Sequence, residues 1–266
     1  MNLFYFELKL YLKSAIGWLI SVVAILILLM VGLFPLYMNA EEEINQILQN
    51  FSPVFAQAFG IAISDMFTFG GFYNFSFGYI SLLAGVMAAS LAITVFAREK
   101  KAKCLDFILT KPMSRKGIFL YKLAMSLAVL ISFNLIYNLV FLWIYQVGGD
   151  NGVSFGSVLH AGMGLLYTQL VFLAVGILFG VLARRIRSVS GTATIVGLAA
   201  FILSSLANVL DDEKMDYIAP LKYFAPDRIF KGDNYQASLV VAAFIIITAC
   251  LAIAFTKFVN SDARQV

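Results

Sequence analysis

The sequence predicts an all-α membrane protein with six transmembrane helices and both termini in the cytoplasm, and three observations predict it. Its 266 residues are 61% hydrophobic and only 13% charged, with mean hydropathy +0.89; a soluble domain is nearer half apolar and a quarter charged. Six apolar stretches free of Asp, Glu, Lys and Arg lie near 15–38, 72–97, 123–146, 158–183, 189–209 and 237–255. The basic residues outside them fall almost wholly on alternate connections. A hydrocarbon core ~30 Å thick takes about 20 helical residues at 1.5 Å each, which every stretch supplies. Backbone groups at that depth have no water to bond, so the spans are helical. The ~10-residue alternating strands of a barrel are absent.

Taken in order, the first stretch is too long for a signal-peptide core, and Met38-Asn39-Ala40 is a poor cleavage site, so it reads as an uncleaved first helix. The segment 41–71 opens with Glu41-Glu42-Glu43 and spaces Ile44, Ile47, Leu48 and Phe51 helically. Pro53 interrupts, and Val54, Phe55, Ala58 and Phe59 resume the apolar stripe. This outer segment is amphipathic, suited either to the bilayer interface or to a packed loop helix. Phe67, Phe69, Phe72, Tyr73, Phe75, Phe77 and Tyr79 open helix two, where an interfacial aromatic belt is expected. Helix three carries Ser132, Asn134, Tyr137, Asn138 and Tyr145, and Asn134 and Asn138 share a face. With Gln169 of helix four they form the candidate translocation path; interhelical hydrogen bonding is the competing reading, as it is for Tyr167 and Thr168. Gly176 and Gly180 make a close-packing G-x-x-x-G on helix four. The stretch 210–236, with its acids, Pro220, Pro226 and Gly232, is a short structured loop or broken helix.

Orientation follows from the positive-inside rule. Fifteen of the 19 Lys and Arg fall at the N-terminus, between helices two and three, between helices four and five (Arg184, Arg185, Arg187) and in the tail. The other side has Lys214, Lys222, Arg228 and Lys231, against eleven acids there. The formal +4 is thus membrane topology and no nucleic-acid signal. His160 is the only histidine, and neither it nor the distant Cys104 and Cys250 belongs to a ligand cluster, so neither a metal site nor a catalytic set is expected.

The cytoplasmic segment 98–117 is the most informative connection. Ala102, Leu105, Ile108 and Leu109 fall on one helical face with charges opposite. Pro112 stops that helix, and Ser114 is placed to cap the next, which runs through Lys122 into the membrane. A basic amphipathic helix resting on anionic lipid would show the same pattern.

Arg98-Glu99, Cys104-Leu105-Asp106-Phe107-Ile108-Leu109-Thr110-Lys111-Pro112-Met113-Ser114-Arg115 and Lys122 together resemble the ABC-2 type permeases of ATP-binding-cassette exporters. Glu99 matches the glutamate after helix two, 105–109 the apolar run, and Lys111-Pro112-Met113-Ser114-Arg115 the turn; Lys103-Cys104 replaces the usual Gly-Thr, and Asp106 shortens the usual Glu. The motif covers about 25 residues, and the six-helix topology extends the match to a single domain, 1–266. The resemblance implies a coupling helix that docks on a separate ATPase subunit. Glu99, Lys103, Leu105, Asp106, Ile108, Leu109, Lys111, Pro112, Ser114 and Arg115 would be its contact residues. Glu99 could equally pair with Lys103, four residues on.

No G-x-x-x-x-G-K-[ST] phosphate loop occurs, so ATP and Mg are expected on the partner chain, with no cofactor bound here. The resemblance further implies a homodimer or a second permease chain, membrane lipid as surroundings, and a multi-pass place in a prokaryotic cell membrane. The chain is expected to be a transport subunit and no enzyme, exporting an amphipathic, peptide or lipid-like substrate. A secondary transporter would carry ionisable groups at midplane, which the stretches lack; a non-transporting scaffold is the other alternative.

Overall fold

A computed structural model describes residues 3–49, 52–61, 65–102, 114–148, 152–183, 188–210 and 212–260. Eleven α-helices follow one another among them: α1 Leu3–Ile27, α2 Phe34–Asn39, α3 Glu41–Gln49, α4 Pro53–Ala58, α5 Phe69–Ala102, α6 Arg115–Val147, α7 Phe155–Leu182, α8 Val189–Leu210, α9 Glu213–Asp216, α10 Asp227–Phe230 and α11 Ala237–Asn260. Six spans are long and apolar enough to cross a membrane: Leu8–Asn39, Phe69–Ala97, Arg115–Val147, Phe155–Leu182, Val189–Leu210 and Ala237–Asn260.

The helices run past the apolar stretches. α1 starts at Leu3 and includes Lys9 and Lys13; α11 continues through Lys257. Hydropathy marks where hydrocarbon begins, whereas a helix continues as long as its backbone can bond itself and its charged side chains can reach water. The start of α6 has a local cause. Ser114 is extended (ψ 148°) and its hydroxyl accepts from the Gly117 amide at 3.2 Å, as the spacing predicts for an N-cap.

Between α1 and α2, Leu28–Leu33 form a π-helical turn, and the Phe34 amide donates to the Leu29 carbonyl, five residues back. Pro35 follows. Proline offers no amide and its ring clashes with the carbonyl four residues earlier; widening the preceding turn lets the first span continue through it.

α5 and α7 form the centre. In the apolar core of α5 78% of residues are buried in the bundle and in α7 61%, against 28% for α8 and 17% for both α1 and α11. Their contact is a backbone approach. A Cβ on Gly176 would stand 2.8 Å from the Ala92 Cβ and 2.9 Å from the Ala89 Cα, and one on Gly180 3.2 Å from the Phe96 Cβ. The neighbour of the G-x-x-x-G is therefore α5, which answers with Ala89 and Ala92.

The aromatics that open helix two divide: Phe69, Phe72, Tyr73 and Phe77 are buried, while Phe67, Phe75 and Tyr79 are half-buried. Phe69 is edge-on to Phe34 and stacked on Phe141, Tyr73 is stacked on Phe141 and edge-on to Phe230, Phe72 is tilted against Phe34, and Phe77 is tilted against Tyr73. A helix surrounded by neighbours turns even its interfacial aromatics into the protein. The amphipathic segment after the first span divides into α3 and α4: Ala56 is buried and α4 packs on α8, while Ile47, Val54 and Phe55 stay exposed. The stretch 212–236 is a folded cap in which α10 lies over α5, with Lys231 paired to Asp65 at 3.2 Å and Lys222 to Asp216 at 2.5 Å.

Candidate functional site

Two regions collect the residues singled out from the sequence. The first is the end of the bundle where α5 and α6 deliver the chain to the 98–117 segment. Lys103, Leu105, Asp106, Ile108, Leu109, Lys111 and Pro112 lie outside the described residues, so the structure does not describe the expected amphipathic helix there. Glu99 belongs to the last turns of α5, while Ser114 and Arg115 open α6. Both flanks of the segment are thus long, unbroken helices.

Lys122 anchors this end. It is fully buried, its ammonium donates to the Val95 carbonyl of α5, and it lies 5.7 Å from the centroid of the Phe96 ring. Phe96 meets Phe119 of α6 edge-on at 5.1 Å, and Phe119 in turn meets Phe255 and Phe258 of α11 at 5.3 and 5.6 Å. A charge so placed is tolerated only with hydrogen-bonding partners, and it makes α5 and α6 costly to separate here.

The second region is a polar seam through the bundle, where Asn134 and Gln169 meet. The Asn134 Nδ2 donates to the Gln169 Oε1 at 2.5 Å and to the Leu130 carbonyl at 2.9 Å. The Gln169 Nε2 donates to the Ala84 carbonyl of α5 at 3.4 Å. One turn on, the Asn138 Nδ2 donates to the Asn134 carbonyl at 2.9 Å and to the Gly162 carbonyl of α7 at 3.5 Å. These residues therefore bridge α5, α6 and α7. Asn134 and Asn138 are 97% and 92% buried, yet neither Oδ1 has a hydrogen-bond partner among the described residues. A buried acceptor left unpaired costs about 1–3 kcal/mol, so the seam holds unused capacity for a donor. Beside it, Tyr73 and Tyr137, both fully buried, share a hydrogen bond at 3.0 Å, and Phe141 stacks on Tyr73 at 4.0 Å.

Two of these features escape a reading by residue type, although a signal for each exists. Ile118, Lys122, Met125 and Val129 recur at the spacing of one helix face, so Lys122 sits on the inward stripe of α6. Asn134, Tyr137, Asn138 and Phe141 continue that stripe, which groups Tyr137 with the asparagines; nothing in sequence points to Tyr73 as its partner. A third aromatic group, around Tyr235 at the N-terminal ends of α7 and α11, has no sequence signature. The Tyr235 hydroxyl donates to the His160 carbonyl at 2.8 Å, and its ring lies edge-on to His160 at 4.8 Å and Phe224 at 5.6 Å.

Six apolar helices around a hydrogen-bonded polar seam define a multi-pass membrane protein. The model of a family described as ABC-2 family transporter protein matches residues 1–263, and the chain belongs to that family. It is thus a membrane permease of the ABC transporter type, a transport subunit that is not itself catalytic, from a family that typically works with an ATP-binding subunit. No curated protein and no solved structure matches the chain.

Proposed function

We propose that this chain is the membrane half of an ATP-driven exporter whose ATP and Mg are held by a separate ATPase subunit, and that it pairs with a second copy or a second permease in a prokaryotic cell membrane. The observation that carries this is the family match over 1–263 in a chain without a phosphate-binding loop. In this reading the 98–117 segment is the coupling helix. Glu99, Lys103, Leu105, Asp106, Ile108, Leu109, Lys111, Pro112, Ser114 and Arg115 meet the ATPase, and the push enters the bundle through α5 and α6. The Lys122 bond to Val95 supports that route, because it joins the two helices flanking the segment.

Asn134, Asn138 and Gln169 are the proposed contacts of the cargo's polar part, supported by the two unpartnered asparagine oxygens. Their bonds within the bundle are those that a passing donor would exchange. A largely apolar interior with so few polar groups suits an amphipathic, peptide or lipid-like cargo better than a bulk hydrophilic polymer.

The test is purification in mild detergent followed by substitution. A phosphate-loop protein should co-purify stoichiometrically, and its hydrolysis should respond to this chain. Glu99→Ala and Ile108→Asp should each weaken association or uncouple hydrolysis from transport while membrane insertion stays normal. Unchanged transport in both variants would refute the coupling assignment.

A further inference from the structure

Between the first turns of α7 and α11 lies a groove of about 310 Å³. α7 contributes His160, Tyr167 and Leu170; α11 contributes Val240, Phe244 and Ile247; Phe224 and Tyr235 close the end nearest the loops. Its lining is almost wholly apolar, and its volume is at the low end of ligand sites, too small for a two-chained lipid.

Its length is set by the helices. On α11 the lining runs from Val240 to Ile247, seven residues or about 10 Å, and on α7 from His160 to Leu170, ten residues or about 15 Å at 1.5 Å per residue. The longer wall, on α7, is half of a ~30 Å hydrocarbon core, about one leaflet. The groove is continuous with the lipid-facing side of α11, where Val240, Val241, Phe244 and Ile245 are exposed apolar side chains.

The closed end is polar and aromatic. Tyr167 stands 5.3 Å from Phe224 and 6.1 Å from Tyr235, ring to ring. Among the described residues neither the Tyr167 hydroxyl nor the His160 imidazole has a hydrogen-bond partner. Asp233 lies two residues before Tyr235, on the side where eleven acids face four bases. Aromatic rings attract quaternary and primary ammonium groups through their quadrupole, and nearby carboxylates add to the attraction.

We propose that this groove binds a single-chain amphiphile with a cationic head from the outer leaflet, its chain along Val240, Phe244 and Ile247 and its ammonium beside His160, Tyr167 and Tyr235. The site requires only the folded bundle in a bilayer, so it stands or falls separately from the ATPase-coupled export reading.

The experiment reconstitutes the full chain in nanodiscs with a diazirine-tailed alkyltrimethylammonium, or an alkyl sulfate of the same tail, and maps the crosslinks by peptide mass spectrometry. The ammonium probe should label α7 and α11 around the groove about fivefold more than the sulfate probe. Val240→Trp, which fills the mouth from an exposed position, should remove that labelling, whereas Ile245→Trp, of equal bulk on the open face of α11, should leave it intact. Labelling spread evenly over the exposed faces of α1, α8 and α11, equal labelling by both probes, or indifference to Val240→Trp would overturn the proposal. So would disulfide formation between copies through Val240→Cys, which would show the groove covered by a second chain.

Discussion

At the residue scale the most sensitive positions are those where backbones meet. A side chain at Gly176 meets the Ala89 Cα and the Ala92 Cβ inside 3.0 Å, so no rotamer relieves it and α5 and α7 must part. Gly176→Leu should cost at least the ~1–3 kcal/mol of an overpacked core, read as a lower unfolding midpoint in detergent, while Gly17→Leu, with open space around it, should not. The Asn134–Gln169 pair calls for a double-mutant cycle. Leu at both positions should reveal a coupling of about 0.6 kcal/mol and no more than ~1.7 kcal/mol, because an unfolded helix in a membrane also finds polar partners.

Tyr235 adds a pH dependence. Burial foremost, and the neighbouring Tyr167 hydroxyl second, push its phenol above the usual range; the hydrogen bond to Gly164 acts the other way. The folded chain therefore keeps a proton that the unfolded chain releases at about pH 10. The resulting stability is complete below that pH and falls as pH rises through the folded value. Melting curves between about pH 9 and pH 11 should decline less for Tyr235→Phe than for the parent.

At the element scale the relevant unit is the α5–α6 flank of the 98–117 segment. Replacing Lys122 by Met keeps most of the volume and removes both the ammonium and its bond to Val95. The amides from Val95 to Ala102 should then exchange hydrogen faster, with those at the opposite end of α5 unchanged; uniform protection would mean that Lys122 does not hold this end. The lysine's place was legible in the spacing of Ile118, Lys122, Met125 and Val129, because a helix face is a property of local sequence. Its partner was not, since Val95 lies 27 residues away and the bond goes to a backbone carbonyl, which no side-chain pattern announces. The π turn before Pro35 stands between these cases: a proline inside an apolar run signals a disturbance, and only packing chooses a widened turn over a kink.

At the scale of the whole molecule the topology can be tested directly. In a chain with Cys104 and Cys250 replaced by Ser, Asp212→Cys should react with an impermeant maleimide on intact cells and Ser114→Cys only after permeabilisation. The reverse pattern would invert the orientation derived from Lys and Arg. The six spans and the Ser114 cap follow from local sequence, because span length, charge placement and capping depend on each segment and its solvent alone. Which span is central does not. The apolar stretches look alike to hydropathy, yet α5 and α7 are enclosed while α1 and α11 face outward, and Phe69, Phe72, Tyr73 and Phe77 turn into the core for that reason.

By itself, then, the sequence determined the membrane, the number of crossings, the alternation of charge between connections and the connection that bears the family motif; the spans and the charge alternation follow from the transfer of residues between water and hydrocarbon, summed along a segment. Only the tertiary structure decided that Gly176 opens α7 to α5, that Asn134 meets Gln169 while two amide oxygens stay unpaired, and that a groove between α7 and α11 ends at Tyr235. Those features exist where residues distant in sequence come within a few ångströms, a distance that the packing of helices sets and hydropathy cannot.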